Sequence, residues 1–217
     1  FENKLSSAQV KSALLFAGMY AEGRTLVREA IPSRDHTERF LEAAGAHFQK
    51  VGGHLIIEKT EMLLPLHARV AGDISSAAFF IVGAAMIPGS DLTVQDVGLN
   101  PTRTGLLEVL KRMGAMIETE ETQTIPEPMG NIRVRGARLK GTGITHEEIP
   151  SLIDELPVLM VAMALADGES LVSGAAELRV KETDRIQSMV RNLKALGASI
   201  DELPDGSLIR GVEGFHG

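Results

Sequence analysis

The sequence predicts an α/β fold made of three copies of a βαβαββ unit, each about 60 to 80 residues long. One pattern occurs three times: an apolar helix that ends in a small turn, a strand, a polar loop, and a second helix that ends on Gly-Ala before further strands. The first helices end at 20–23, 86–89 and 165–168, and the second helices end at 41–46, 110–115 and 193–198. Because a glycine after a helix favours a left-handed backbone, we expect Gly45, Gly114 and Gly197 at equivalent helix ends.

The first unit contains a helix, a strand and a hairpin. Ser7 is a candidate N-cap for the helix, whose apolar residues recur on one face: Val10, Ala13, Leu14 and Ala17. A strand follows at residues 25–27, and Gly52-Gly53 between two strand-like runs predicts a hairpin turn. Ser6, Ser7 and Gln9 place two hydroxyls and an amide at the helix N-terminus, where phosphate oxygens also bind. The simpler interpretation of Ser7 is capping alone.

Each second helix is preceded by a polar segment that carries an arginine: 33–37, 100–104 and 177–185. Local capping explains part of this pattern. Asp35 and Glu38 have capping-box spacing, and Asn100 before Pro101 is typical of an N-cap followed by a first-turn proline. Capping is the favoured interpretation for Arg103, whereas the recurrence of an arginine in all three segments favours anion binding by the other two.

The third of these segments, 177–185, has six charged residues in nine. Thr183 is the expected N-cap of the helix that follows, with an acidic residue in its first turn. Lys181, Glu182 and Arg185 then surround a helix N-terminus. This arrangement suits a bound phosphate or carboxylate, and it suits proton transfer by a carboxylate between cations. A solvated run of charges is the alternative.

The first helix of the third unit begins near Ser151 and Asp154. These two residues have capping-box spacing, and Pro157 limits where the helix can start. A buried Asp154 would instead be a candidate general base.

The composition excludes several classes of function. The chain is 44% hydrophobic and 24% charged, which is typical of a globular protein, and its net charge of −7 disfavours binding to nucleic acid or to a membrane surface. It has no cysteine, so disulfides, thiolate metal sites and a cysteine nucleophile are excluded within the chain. The longest apolar runs are too short to span a bilayer, and no signal peptide is visible, so we expect a cytoplasmic protein. The first residue is Phe1, and we expect a fragment of a longer protein.

Five motifs carry a family resemblance: Ser-Ala-Gln-Val-Lys-Ser-Ala at 7–13, Ser-Arg-Asp-His-Thr-Glu at 33–38, Gly-Asp-Ile-Ser-Ser-Ala at 72–77, Asn-Pro-Thr-Arg-Thr-Gly at 100–105 and Arg-Val-Lys-Glu-Thr-Asp-Arg at 179–185. In this order they resemble the 5-enolpyruvylshikimate-3-phosphate (EPSP) synthase family. The form at 33–37 resembles the bacterial class that tolerates glyphosate. The resemblance implies two globular domains of three βαβαββ units each. It assigns residues 1–71 to the last unit of the first domain and 72–217 to two units of the second.

The resemblance also implies the activity. Members of the family are transferases that move the enolpyruvyl group of phosphoenolpyruvate to the 5-hydroxyl of shikimate 3-phosphate, in aromatic amino acid biosynthesis, without a metal or an organic cofactor. By similarity Asp154 is the base and Glu182 is a candidate proton donor. The residues implied to bind shikimate 3-phosphate are Ser7, Ala8, Gln9, Arg34, Asp154 and Lys181, and those implied to bind phosphoenolpyruvate are Gln9 and Arg185. About half of the family's site lies outside this chain, so we expect the fragment to be inactive alone.

Two alternatives remain from the sequence. The UDP-N-acetylglucosamine enolpyruvyl transferases share the fold and the chemistry, although the motifs at 33–37 and 181–185 fit them poorly. A non-catalytic anion-binding module made of repeats is the other alternative. The expected partners are the two small-molecule substrates, without nucleic acid or membrane, and the full-length enzyme is expected to be a monomer.

Overall fold

The computed structural model describes residues 1–4 and 7–216. Ser6, which the sequence places beside Ser7, lies outside the described residues. The chain divides into two compact units. Unit 1 comprises Phe1–Ala71 and Gln123–Pro128, and unit 2 comprises Gly72–Thr122 and Met129–Gly217.

Unit 1 contains a four-stranded sheet and two helices. Its elements are β1 (Glu2–Asn3), α1 (Ala8–Tyr20), β2 (Arg24–Glu29), α2 (His36–Ala43), β3 (Phe48–Val51) and β4 (His54–Glu58). The strand order is β1-β2-β4-β3, with β1 parallel to β2 and the other neighbours antiparallel. Residues 123–128 complete the unit: His36 Nδ1 lies 2.9 Å from Glu127 Oε1, and Gln123 Nε2 donates to the Arg69 carbonyl at 3.4 Å. Unit 1 is therefore built from two segments that are distant in sequence.

Unit 2 contains two repeats of the same kind. The first has α3 (Ile74–Met86), β5 (Asp91–Gly98), α4 (Gly105–Arg112), β6 (Met116–Gln123) and β7 (Met129–Arg135). The second has β8 (Gly143–Ile144), α5 (Leu156–Ala164), β9 (Glu169–Val172), α6 (Arg185–Ala195), β10 (Ser199–Leu203) and β11 (Gly206–Arg210). Short 3₁₀ helices cover Ile149–Ser151 and Ala176–Val180. The strand orders are β5-β7-β6 and β10-β11-β9-β8.

All three repeats share one topology. In each, the strand after the first helix pairs with the last strand of the hairpin, and the first strand of the hairpin lies at the edge. β1 is parallel to β2, β8 is parallel to β9, and in the middle repeat Gly72 forms a parallel bridge with Val97 of β5. The predicted α/β fold of repeated βαβαββ units is therefore confirmed.

The three second helices also end in the same way. Gly45, Gly114 and Gly197 have φ angles of 78°, 108° and 88°. At α4, the Gly114 amide donates to the Lys111 carbonyl at 2.9 Å and the Ala115 amide donates to the Leu110 carbonyl at 3.0 Å. The same pair of bonds follows α2 and α6, and it is the Schellman arrangement, which satisfies carbonyls at the end of a helix. The expectation of equivalent helix ends is confirmed.

Replacing Gly114 with alanine is expected to destabilise unit 2 by about 1–2 kcal/mol, because a Cβ disfavours the left-handed backbone. The matched control is Gly83→Ala in α3, where an added Cβ meets nothing within 4 Å. This control is expected to stabilise the unit by about 0.5–1 kcal/mol, since alanine is the better helix former. Urea denaturation of both variants measures the difference, and equal effects at the two glycines would contradict the assigned helix end.

Each unit has its own apolar core. The core of unit 1 has five buried members: Leu15, Met19, Val27, Leu41 and Ile57. The predicted helix and its Ser7 cap are present in α1, but the face that contains Val10 and Ala17 is exposed and the face with Lys11, Leu15 and Met19 is buried. α1 carries apolar residues on both sides, so helical spacing alone does not select the packed face. No helix in the described part of the chain has the length and the hydrophobicity to cross a membrane.

Two of the expected helix caps differ from the structure. The N-cap of α6 is Asp184 and not Thr183, and the N-cap of α4 is Thr104 and not Asn100. The Asn100 side chain instead accepts a hydrogen bond from the Thr102 amide at 2.9 Å, which closes a turn before the helix. At α6, the adjacent residues Thr183 and Asp184 are both suitable N-cap residues, so the local sequence pattern does not decide which of them caps the helix.

The two expected capping boxes are also absent from the described residues. Asp35 makes no side-chain cap, and its carboxylate accepts from Arg39 Nε at 3.0 Å. Ser151 ends the 3₁₀ helix before α5, and its hydroxyl donates to the Glu148 carbonyl at 2.8 Å. Asp154 is therefore not part of a capping box, and its side chain is about one-third exposed, at 32%.

Candidate active site

Within unit 1, three predicted site residues lie together at the start of α1. Ser7 is the N-cap, as expected, and its Oγ accepts from the Val10 amide at 3.4 Å. Ala8 and Gln9 are the first two residues of the helix. The amides of a first helical turn lack helical partners and carry partial positive charge, so this turn can bind an anion. Arg34 is half-buried in the segment that leads into α2.

A buried lysine lies beneath both segments. Lys11 is 1% exposed, and its Nζ lies 2.9 Å from Glu29 Oε2 and 2.8 Å from Glu38 Oε1. It also donates to the Ser33 carbonyl at 3.2 Å. α1 is thus joined through one ammonium group to β2, to α2 and to the residue before Arg34. Charge-assisted bonds of this kind are roughly twice as strong as bonds between neutral groups.

The Glu29 carboxylate extends this network to Ser7. It accepts from the Ser33 hydroxyl at 2.6 Å, from the Ser33 amide at 3.1 Å and from Asn3 Nδ2 at 3.0 Å. Asn3 Nδ2 also donates to the Ser7 carbonyl at 2.9 Å. The residues that flank the predicted anion site are therefore held by a common carboxylate. Sequence reasoning missed this cluster, although a lysine inside an otherwise apolar helix was a signal for it.

Within unit 2, the structure brings Asp154, Glu182 and Arg185 together. Arg185 is the first residue of α6, and its Nη1 lies 3.4 Å from Asp154 Oδ1. Its Nη2 donates to Glu182 Oε2 at 2.8 Å. One guanidinium group thus lies between the predicted base and the predicted proton donor.

The charge state of Glu182 follows from this contact. The hydrogen bond from Arg185 holds the pKa of the Glu182 carboxyl below its ordinary value. Glu182 is 80% exposed, so solvent screens most of the effect on stability. In the structure as it stands, Glu182 is ionised at neutral pH.

Asp184 sets the position of the start of α6. Its Oδ1 accepts from the Gln187 amide at 2.9 Å and its Oδ2 accepts from Arg179 Nη1 at 2.7 Å. The Gln187 amide is the main cause of a lowered pKa for Asp184, to which Arg179 adds. Arg179 Nη2 donates to the Leu203 carbonyl at 2.5 Å, so the start of α6 is also tied to the β10–β11 hairpin.

Lys181 is paired with a residue outside the predicted site. The family resemblance implies that Lys181 binds the same substrate as Asp154, and in the structure its Nζ pairs with Glu177, four residues earlier. Glu177 lies in the 3₁₀ helix Ala176–Val180 and was not among the predicted site residues. A substrate anion at Lys181 would therefore compete with the Glu177 carboxylate.

The described residues contain no cluster of three or more histidine, aspartate or glutamate side chains arranged to hold a metal ion. The cations at the two candidate sites are side chains, and the anions that they suit are phosphates and carboxylates.

Comparisons with known proteins identify the family. The profile of the family described as EPSP synthase (3-phosphoshikimate 1-carboxyvinyltransferase) matches residues 1–217. Proteins named 3-phosphoshikimate 1-carboxyvinyltransferase from Leuconostoc citreum (strain KM20) and from Desulforamulus reducens are 49% and 50% identical over 97% of this chain and 49% of their own. A solved EPSP synthase from Acinetobacter baumannii matches all of this chain and 49% of its own, with a TM-score of 0.90 and 43% identity.

The chain spans about half the length of the curated relatives that it matches. Three comparisons agree: a family profile over the whole chain, relatives near 50% identity, and a shared fold. The chain belongs to the EPSP synthase (3-phosphoshikimate 1-carboxyvinyltransferase) family.

Proposed function

We propose that the full-length enzyme that carries this chain transfers the enolpyruvyl group of phosphoenolpyruvate to the 5-hydroxyl of shikimate 3-phosphate. Membership of the EPSP synthase family over residues 1–217 is the observation that supports it most strongly. We further propose that residues 1–71 are the last βαβαββ repeat of one globular domain and that residues 72–217 are two repeats of a second domain. The division of the chain after Ala71 supports this assignment, although residues 123–128 belong to unit 1.

Ser7, Ala8, Gln9 and Arg34 bind shikimate 3-phosphate in this proposal. The amides and the hydroxyl at the start of α1 suit phosphate oxygens. The planar guanidinium of an arginine can donate hydrogen bonds to two oxygens of one phosphate. Lys181 contributes a further cation to the same substrate, once its bond to Glu177 is exchanged for one to the ligand. The network around Lys11 supports the proposal because it fixes both flanks of the anion site.

Asp154 is the general base, and it takes the proton from the 5-hydroxyl. The oxygen then forms a bond to the substituted carbon of phosphoenolpyruvate, while an acid donates a proton to the methylene carbon. Loss of phosphate and of one proton restores the double bond and completes the transfer. Arg185 binds phosphoenolpyruvate, and its charge stabilises the negative charge that develops on that substrate.

Glu182 is the candidate donor for the methylene carbon, and Arg185 controls its protonation. A carboxylate bonded to a guanidinium is a poor acid at neutral pH. When Arg185 turns to the anionic groups of phosphoenolpyruvate, the hydrogen bond that lowers the pKa of Glu182 is weakened, and this pKa moves back toward its ordinary value.

This role of Arg185 predicts a shift in the titration of Glu182. In Arg185→Met, the pKa of Glu182 is expected to rise toward its ordinary value, because the main cause of its lowering is removed. The stability that Glu182 contributes is present above its unfolded pKa and is lost as pH falls through the folded pKa, so the variant loses this contribution. Carbon-13 NMR of the carboxyl measures the pKa. Asp201, whose pKa is lowered by Arg210, is the unaffected reference. An unchanged Glu182 midpoint would contradict the assignment.

The proposed reaction is tested by phosphate release from phosphoenolpyruvate in the full-length enzyme. Release that requires shikimate 3-phosphate, with a new enolpyruvyl ether as the second product, is the expected result. Release that requires UDP-N-acetylglucosamine instead would identify the sister activity. Anion binding without release under either condition would identify a binding module and overturn the proposal.

A further inference from the structure

A second buried ion pair involves the residue that follows the proposed base in the chain. Glu155 follows Asp154 in the chain, and its side chain is only 1% exposed. Its Oε1 accepts a hydrogen bond from the Ser75 hydroxyl and lies 3.4 Å from Arg103 Nη2. Arg103 Nη2 also donates to Ser75 Oγ at 2.5 Å. These three residues, which we call the Glu155 cluster, join the starts of α3 and α5 to the segment before α4.

The repeats give the Glu155 cluster a counterpart in unit 1. Ser75 is the second residue of α3, as Gln9 is of α1. Arg103 stands immediately before the N-cap of α4, as Arg34 does before that of α2. The positions proposed to bind a substrate anion in unit 1 thus have equivalents in the middle repeat that bind a carboxylate of the protein itself.

Burial shows that this internal carboxylate has a structural role. A buried charge without a partner is strongly unfavourable, so Glu155 depends on Arg103 and Ser75. Its backbone is fixed as well: the Glu155 amide donates to the Leu152 carbonyl and its carbonyl accepts from the Leu159 amide, both at 3.0 Å. Asp154 lies between Glu155 and Ile153, which are both buried, and its own carboxylate reaches the surface.

We propose that Ser75, Arg103 and Glu155 are positioning residues for Asp154. They touch no substrate atom. They hold the peptide that carries Asp154, so that a partly exposed carboxylate keeps one orientation toward the hydroxyl it deprotonates. The inference rests on the proposed function, because it assigns the cluster to the same reaction. Arg103, for which the sequence pattern favoured helix capping, thereby supports catalysis through the position of Asp154.

The test uses four variants of the full-length enzyme. Arg103→Met is expected to lower kcat about a hundredfold, since a shift of about 1 Å in a catalytic group has an effect of that size. Glu155→Gln keeps the size of the side chain, and Ser75→Ala removes only a hydroxyl. Both are expected to lower kcat about tenfold. Arg103→Lys restores part of the loss because it keeps the charge but not the planar fork. KM for both substrates is expected to change less than about threefold, because the cluster does not contact them.

Arg133→Met is the matched control. Arg133 makes two bonds to Asp91 in the same unit, on exposed strands. If the variants of the Glu155 cluster lowered the melting temperature as this control does but left kcat unchanged, the cluster would be structural only and the inference would be overturned. A rise in KM equal to the loss of kcat would also overturn it.

A measurement without turnover separates the inference from the proposed function. Amide hydrogen exchange at residues 153–156 is expected to increase in Ser75→Ala and Glu155→Gln but not in Arg133→Met. If the wild-type enzyme released no phosphate, the proposed reaction would be wrong. The exchange measurement would still decide whether the Glu155 cluster holds Asp154. Unchanged exchange in every cluster variant would overturn the positioning role, whatever the activity.

Discussion

Replacing Asp154 with alanine in the full-length enzyme is expected to lower kcat about a hundredfold or more and to leave the melting temperature nearly unchanged. General-base catalysis contributes about 10²–10⁴-fold to a rate, so the loss of the base removes a factor of this size. The side chain is partly exposed and contacts Arg185 at 3.4 Å, so its removal leaves no buried charge unpaired. Steady-state kinetics and thermal unfolding of one purified variant measure both quantities.

A structural role for Asp154 would give the opposite pattern. Loss of a partly exposed ion pair lowers stability by about 1 kcal/mol or less and leaves the rate of the folded enzyme unchanged. The matched control is Asp167→Ala, since Asp167 is an exposed aspartate of the same unit that pairs with Arg138. Near-normal kcat for Asp154→Ala, or an equal loss of kcat in Asp167→Ala, would contradict the assignment of Asp154 as the base.

Replacing Lys11 with methionine is expected to destabilise unit 1 by about 3–5 kcal/mol, because breaking a buried ion pair leaves carboxylates without a cation. Glu29 still accepts bonds from Asn3 and Ser33 in this variant. Glu38 is 2% exposed, and Lys11 is its cation among the described residues, while Glu38 Oε2 has no hydrogen-bond partner there. Most of the loss is therefore expected to come from Glu38. Chemical denaturation, followed by a spectroscopic signal from residues of unit 1, measures the change in the free energy of unfolding.

Two further variants make this prediction specific. Lys59→Met removes an exposed lysine that pairs with Glu22 in the same unit, and it is expected to cost less than about 1 kcal/mol. Lys11→Met combined with Glu38→Leu is expected to recover much of the stability, since well-packed apolar groups replace a buried ion pair with little loss. Equal effects of Lys11→Met and Lys59→Met would show that the buried pair does not stabilise the unit. No recovery in the double variant would show that the unpaired Glu38 carboxylate is not the main source of the loss.

The repeated fold was predictable because its signals are local. A left-handed residue at the end of a helix requires glycine, so Gly45, Gly114 and Gly197 mark the same helix end without reference to tertiary contacts. The Gly52-Gly53 turn of the β3–β4 hairpin follows the same rule, with φ angles of 56° and 77°. Three equivalent sets of such signals were enough to define the unit.

The packed face of α1 was not predictable from spacing. Lys11 is buried because Glu29 and Glu38 meet it from β2 and α2, and neither partner is near it in sequence. The exposed face of α1 carries Val10 and Phe16, so apolar residues occur on both sides. Tertiary contacts decided which side is packed.

Part of the candidate site was predicted and part was not. Glu182 and Arg185 are three residues apart, on either side of the Asp184 N-cap, so their contact is local, whereas the contact between Arg185 and Asp154 depends on how the starts of α5 and α6 come together. The pairing of Lys181 with Glu177 is consistent with their spacing of four residues, whereas the family resemblance implies only that Lys181 binds substrate. Whether these residues act on the two substrates remains a prediction.

The composition of unit 1 from residues 1–71 and 123–128 has a consequence for synthesis on the ribosome. A nascent chain emerges from its N-terminus and folds as its segments become available. The last segment of unit 1, with the Glu127 carboxylate that meets His36, emerges only after residues 72–122 of unit 2. Unit 1 therefore cannot complete its contacts before residues 72–122 of unit 2 are made, and its completion is coupled to the translation of the β6–β7 hairpin.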